Sequence, residues 1–224
     1  MSQTTGWRLV QDLPGVLPTR QRRSQETTVA LLEAGAELLR DCAFDELSID
    51  ELCRRVGVTI GAFYGRFESK DAFFAALMAL AAKRSLAAID EAVANDDRTH
   101  AELEKVCQDV VAVITDVIRR NEGVLRAAMQ YKAVQPARWI TVRETGNGLV
   151  ERSTPLLLAR MGAGRKQAKI QTIAFAFQMV FGTLLQAVLG NSKAVGLHDQ
   201  EMIDRLALAM FLQLDHEPKR GRAR

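Results

Sequence analysis

The side chains best suited to chemistry lie within eight residues, Thr59 to Arg66, with Lys70 close behind. Thr59 and Tyr64 carry hydroxyls, Arg66 a guanidinium and Lys70 an ammonium, groups that donate hydrogen bonds to phosphate oxygens or base edges. Ile60 stands among them as an apolar residue able to touch a thymine methyl. This set recognises; it does not make or break bonds. His100, His198 and His216 are isolated, HExxH, P-loop and GxGxxG patterns are absent, and Gly162-Ala163-Gly164 reads as a loop, so no enzyme is expected. Cys42, Cys53 and Cys107 are widely spaced with no CxxC pair, which suggests neither a metal site nor a disulfide framework and fits a reducing cytoplasm. No cofactor is implied.

The elements that must position this set announce themselves through helix signals. Ser48 and Glu51 have capping-box spacing, and Leu47 with Leu52 occupy the two places of a hydrophobic staple around that cap. Ile49, Leu52 and Val56 face a core, and Gly57 suits the left-handed residue that ends a helix. Val58 and Phe63 repeat the staple around Thr59, a second N-cap, and Phe63 pairs with Phe67 at i, i+4. A third short helix is therefore predicted over 60–67, and Ser69 caps a fourth running to about Val93. A first helix, about 19–42, carries the stripe Val29, Leu32, Ala36 and Leu39. Two short helices joined by a glycine-containing turn and braced by a third make a helix-turn-helix. Gly61 and Gly65 each cost about 1 kcal/mol of helix stability relative to alanine, which close approach of a backbone to DNA would explain; an ordinary loosely optimised helix is the alternative. Lys70, one residue past its cap, opposes the helix dipole, a conflict that a phosphate would remove.

The rest of the 224 residues reads as helix too, with sparse glycine and proline and no strand alternation. Further helices are predicted near 99–120, 123–133, 136–161, 165–190 and 199–215, about nine in all. The fold class is therefore all-α. Residues 1–18 read as a mobile arm, 19–74 as the helix-turn-helix domain, 75–216 as a larger helical domain and 217–224 as a basic tail. No apolar run is expected to span a membrane, and no export signal is read. The net charge of +3 is unevenly placed. Residues 1–23 hold four arginines against one aspartate, and the tail holds four basic residues against one glutamate. Residues 20–74 instead hold eight Lys or Arg against ten Asp or Glu, a net −2, so Glu26, Glu33, Glu37 and Asp50 would have to point away from DNA while Arg20, Arg22 and Arg23 reach toward it.

The segment Leu47 to Phe74, LSIDELCRRVGVTIGAFYGRFESKDAFF, resembles the TetR family of bacterial regulators in Ser48, Gly57, Val58, Thr59, Gly61, Phe63, Tyr64, Phe67, Ser69, Lys70 and Asp71. Carried over by position, Ser48, Thr59, Tyr64 and Lys70 would contact phosphates, and Ile60, Gly61 and Ala62 would face bases. Arg66 stands where the family often has histidine, and Ile60 where it often has a polar residue, so the operator sequence is not readable. The resemblance implies a cytoplasmic homodimer joined through the last two helices, double-stranded operator DNA as partner and a small-molecule effector that releases a repressor by favouring one of two spacings of the recognition helices. Ile173, Phe177, Phe181, Leu184, Leu185 and Val188 make the helix at 165–190 apolar nearly all round, as such a bundle needs, although burial within one subunit would explain it as well. Met129, Tyr131, Trp139, Arg143, Phe175, Gln178 and Met179 are effector-lining candidates, being large or polar within apolar helices. Gly146, Gly148 and Pro155 should bend or break the helix beside them. The competing reading is a helical ligand-binding or interaction protein that has lost operator recognition.

Overall fold

A computed structural model describes residues 10, 12–18, 22–94, 102–130, 136–190 and 194–216, the side chains of 136–139 excepted. All regular elements among them are helices: α1 Arg22–Asp41, α2 Ile49–Val56, α3 Ile60–Tyr64, α4 Lys70–Ala94, α5 Leu103–Arg120, α6 Glu122–Gln130, α7 Pro136–Leu158, α8 Lys166–Val188 and α9 Gln200–Asp215. The all-α expectation and the nine elements agree with this order. The basic tail, Arg20, Tyr131 and the Thr99 helix start lie outside the described residues.

The chain divides into two compact units, one of residues 1–85 and 121–145, the other of 86–120 and 146–224. The break therefore falls within α4 after residue 85, rather than after residue 74, and α6 with the start of α7 returns to the first unit. Local sequence does not mark this return because α6 carries an ordinary amphipathic pattern. Its buried Val124, Ala127 and Ala128 join Leu31, Leu32 and Leu39 of α1, Leu52 of α2, Phe63 of α3 and Phe73 and Phe74 of α4 in one core. Gly35 on α1 leaves room for the Phe73 ring, which a β-carbon there would overlap.

The α1 to α6 contact is close enough to test. A β-carbon at Gly123 would overlap the Leu39 carbonyl and lie 2.7 Å from the Arg40 nitrogen. Arg126, four residues on, donates to the Leu39 carbonyl at 3.2 Å and to that of Arg40, and pairs with Glu122 at 3.1 Å. The last carbonyls of α1, which a helix leaves open, are thus satisfied from α6. Gly123→Ala should destabilise the first unit by about 1–3 kcal/mol, the scale of overpacking. An unchanged urea midpoint would show that α1 and α6 can move apart freely.

The second unit packs α5 against α9 and α8, with α8 against α9. Its core includes Val106, Val110, Ile114, Ile173, Phe177 and Met210. Arg119 ties the entry to α9, donating to the Leu197 carbonyl at 2.8 Å and the Asp199 carbonyl at 2.9 Å. α7 is not broken at Gly146, Gly148 or Pro155 but runs through them as one helix. Nearby hydroxyls bond backward along it, Ser153 to the Leu149 carbonyl and Thr154 to that of Val150.

Also against expectation, α4 and α8 are long and apolar enough by composition to cross a membrane. In the structure Phe73, Phe74 and Leu77 of α4 and Ile173, Phe177 and Leu184 of α8 are buried in the protein core instead.

Cys107 on α5 is wholly buried, and its thiol is pushed up to about 12, by burial first and by Glu104 second. The folded state therefore holds this proton above the ordinary value of 9.0. The stability due to the neutral thiol is complete below pH 9.0 and is lost as pH rises toward about 12, because there the unfolded chain alone ionises. The urea midpoint should fall more steeply between pH 9 and 11 in the native protein than in Cys107→Val; parallel curves would refute the shift.

Candidate nucleic-acid interface

The two short helices form where their caps dictate. Ser48, extended at φ −86° and ψ 126°, accepts the Glu51 N–H on its Oγ at 3.3 Å. The expected capping box is completed differently: the Glu51 carboxylate takes Arg54, Nε at 2.9 Å and Nη2 at 2.5 Å. Both arginine donors converge on the one oxygen Oε2, and a charge-assisted bond of this kind is stronger than one to a neutral backbone N–H. Gly57 ends α2 in the left-handed region, φ 74° and ψ 35°. Val58 donates to the Cys53 carbonyl at 3.0 Å, closing the turn. Thr59 then caps α3, accepting the Ala62 N–H at 3.1 Å. This helix is shorter than predicted, ending at Tyr64, with a turn of Phe63 carbonyl bonds carrying the chain to Phe67.

Behind α3 three rings meet. Phe63 and Phe67 have centroids 5.1 Å apart, Phe63 and Phe73 5.5 Å, Phe67 and Phe73 5.1 Å. All three are buried, so this triangle anchors α3 and commits its opposite face to the outside. Ile60 is 46% exposed and Tyr64 49%. Thr59, Gly61 and Gly65 are exposed and Ala62 is half-buried. The Tyr64 ring stands edge-on to Phe63 at 5.2 Å and 88°, which fixes the ring while leaving its surface open. A β-carbon on Gly61 would meet only the Thr59 hydroxyl, at 3.8 Å. No internal packing reason for glycine exists there.

The flanking residues keep donors to spare. A cap uses a lone pair of the Ser48 or Thr59 oxygen, so each hydroxyl hydrogen remains available to an outside acceptor. Lys70, half-buried, donates to the Asp45 carbonyl at 3.0 Å and lies 4.8 Å from the Phe44 ring centre. Burial lowers its pKa, while Asp45, Cys42 and Asp71 work against that shift. Three ammonium hydrogens serve one carbonyl, leaving two.

Arg66 does not share the exposed face. Its Nη1 donates to the Ala62 carbonyl at 2.6 Å and its Nε to the Ser24 carbonyl at 3.3 Å, and burial pushes its pKa down. The guanidinium staples α3 to α1 from inside the first unit, so the reading of Arg66 as an outward donor is corrected. The side chains brought together on the exposed side are Ser48, Thr59, Ile60, Ala62, Tyr64 and Lys70, with Gly61 among them.

Three of the acids in this region are paired with arginines. Glu26 pairs with Arg22 at 2.9 Å, Glu33 with Arg84 at 2.7 Å and Glu37 with Arg55 at 3.7 Å. These exposed pairs contribute little stability, roughly 0–1 kcal/mol each. Arg22 and Arg55 are already among the eight bases of residues 20–74, so only Arg84, from outside that stretch, offsets its net −2.

The effector candidates are not gathered in this way. Met129 is half-buried on α6 and Arg143 exposed on α7, both in the first unit. Met179 is half-buried on α8, whereas Phe175 and Gln178 are exposed there. The Trp139 side chain lies outside the described residues. Phe175, Gln178, Gly182, Gln186 and Leu189 are all exposed and follow helical spacing, one stripe along α8. On α9, Leu208 is 51% exposed and Leu212, one turn on, 56%.

A capped helix, a left-handed glycine turn and a second short helix with an outward polar and apolar face define a helix-turn-helix protein. Residues 31–77 match the bacterial regulatory proteins of the tetR family. The chain is 38% identical over 58 residues to the uncharacterized HTH-type transcriptional regulator YwcC of Bacillus subtilis, a match covering 26% of each chain. It thus spans about a quarter of the length of that curated relative. In fold it is similar to a putative TetR-family transcriptional regulator from Mesorhizobium loti, with TM-score 0.64 and 16% identity over 87% of this chain and 96% of that one. Salmonella enterica GusR gives TM-score 0.62 at 14% identity over 88% and 99% of the two chains.

Proposed function

We propose that the protein is a sequence-specific, DNA-binding transcriptional regulator acting in the cytoplasm, with no catalytic activity of its own. The observation that carries this is the exposed face of α3, where Ile60 and Tyr64 stand out beside a glycine that nothing in the fold requires. Ile60, Gly61 and Ala62 face bases in the major groove, while Ser48, Thr59, Tyr64 and Lys70 bind phosphates. Two copies bind one operator, joined through the exposed stripes of α8 and α9. The protein acts as a repressor, and a small-molecule effector held in the helical domain releases it by preferring the conformation that does not bind DNA. The exposure of Phe175 and Gln178 suits the dimer face better than an effector pocket.

Gel retardation of the intergenic DNA upstream of the protein's own gene tests this reading. Nanomolar native protein should retard it, and Tyr64→Ala should not. Tyr64→Phe, which deletes only the hydroxyl, should weaken binding by roughly tenfold, about the contribution of one charge-assisted hydrogen bond. Retardation that ignores both substitutions would remove α3 from the interface. The absence of retardation of that or any other genomic fragment would leave a ligand-binding or interaction protein.

A further inference from the structure

The stretch read from sequence as a mobile arm is packed where the structure describes it. Val10 and Leu13 are each 3% exposed and belong to the same core as Phe63, Phe67 and Phe73. Val16 folds back on Leu13 through a 3.3 Å backbone bond and packs on the edge of that core. Gly15 sits between them at φ +81°, and a β-carbon there would overlap the Ala72 carbonyl oxygen on α4. Leu17 then donates its N–H to the Arg66 carbonyl at 2.7 Å, in the chain leaving α3. Arg66 itself is bonded to α1 and α3.

We infer that residues 13–17 are a positioning strap for the recognition helix: Leu13 anchors it in the core, Gly15 lets it lie against α4, and the Leu17 N–H holds the end of α3. The need for such a strap follows from the length of α3. A helix of five residues with glycine at its second position has little stability of its own. Its amino end is fixed by the Thr59 cap and its rear by the Phe63 ring, while the chain after Tyr64 is held by bonds to the Phe63 carbonyl, by the buried Phe67 ring, by the Arg66 staple and by the strap. Losing the strap would leave the base-facing residues present but loosely aimed, and recognition depends on geometry held to a fraction of an ångström. The inference rests on the DNA-binding reading only for its consequence; the hold on α3 is a property of the free protein.

Three variants of the full chain separate these. Gly15→Val forces a β-branched side chain into a left-handed backbone and against the Ala72 carbonyl, lifting the strap. Leu17→Pro deletes the single N–H given to Arg66, in a segment already followed by Pro18. Leu17→Ala keeps that N–H and is the control. Hydrogen–deuterium exchange of amides 60–67 should accelerate about tenfold in the first two and stay unchanged in Leu17→Ala, on the scale of one lost backbone bond. Far-UV circular dichroism should remain native in Leu17→Pro, which keeps the test valid if Gly15→Val unfolds the unit. On the genomic fragment that native protein retards most strongly, Leu17→Pro should bind about tenfold more weakly with the same dependence on salt, because no phosphate contact has been removed. Unchanged exchange at 60–67 in Leu17→Pro would overturn the strap. A reduced salt dependence would also overturn it, by making the segment a DNA contact instead. If native protein retards no fragment, the regulator reading falls, while the exchange result still decides whether the strap holds α3.

Discussion

Replacing Leu208 and Leu212 together by aspartate is expected to turn the protein into a monomer that no longer retards DNA. Both leucines lie one turn apart on the outer side of α9, more than half exposed, while Met202, Leu206 and Met210 on the same helix are buried. Phe175 on α8 and Leu189, the residue that caps its end, are likewise exposed. Burying one leucine contributes about 1.5–3 kcal/mol. In a two-fold symmetric interface each substitution counts twice, so four leucines would be lost and four carboxylates desolvated. Light scattering at micromolar concentration should report half the native mass. Helix content should be retained, since neither side chain enters the subunit's core. Operator affinity should drop by roughly a hundredfold or more, because the second half-site is no longer held at high effective concentration. An unchanged mass would place the interface elsewhere.

Gly61→Leu is expected to separate stability from function in the opposite direction. The position is exposed and a β-carbon there meets only the Thr59 hydroxyl, so the free protein has room for a side chain. Leucine is about 0.8 kcal/mol better than glycine in a helix, so thermal stability should hold or rise. In the groove, the added side chain would occupy the space through which the α3 backbone approaches the bases. Retardation should be lost at concentrations a hundred times those at which native protein binds. A variant that is both stabilised and fully active would mean that Gly61 does not face DNA.

Most of the helix-turn-helix was legible because its signals are local. Ser48, Gly57, Thr59 and Ser69 act on backbone groups within three residues of themselves, and the structure places each cap as its spacing implies. Phe63 and Phe67 were readable as anchors because i, i+4 pairing follows from helix geometry alone. Long-range partners were not legible. Arg66 looked like an outward donor, and only the fold brings the Ser24 carbonyl, 42 positions away, to its guanidinium. The same holds for Leu13 and Leu17, whose proline- and glycine-rich surroundings look like a loose end until Ala72 and Arg66 are seen against them. Arg126, which closes the end of α1, reads in sequence as an ordinary i, i+4 partner of Glu122. The net charge misled for a related reason. The count over residues 20–74 already includes Arg22 and Arg55, the partners of Glu26 and Glu37, but omits Arg84, which the fold brings to Glu33 from outside that stretch.

The central claim, that the outward face of α3 reads a DNA sequence, is tested most directly by selecting fragments of the whole genome on native protein beside Gly61→Leu. Native protein should enrich a small set of fragments sharing an inverted repeat, with half-sites on one face of the duplex about 34–36 Å apart or a multiple of that. Gly61→Leu should enrich none of them. No enrichment by native protein, or the same fragments recovered by both, would contradict the account.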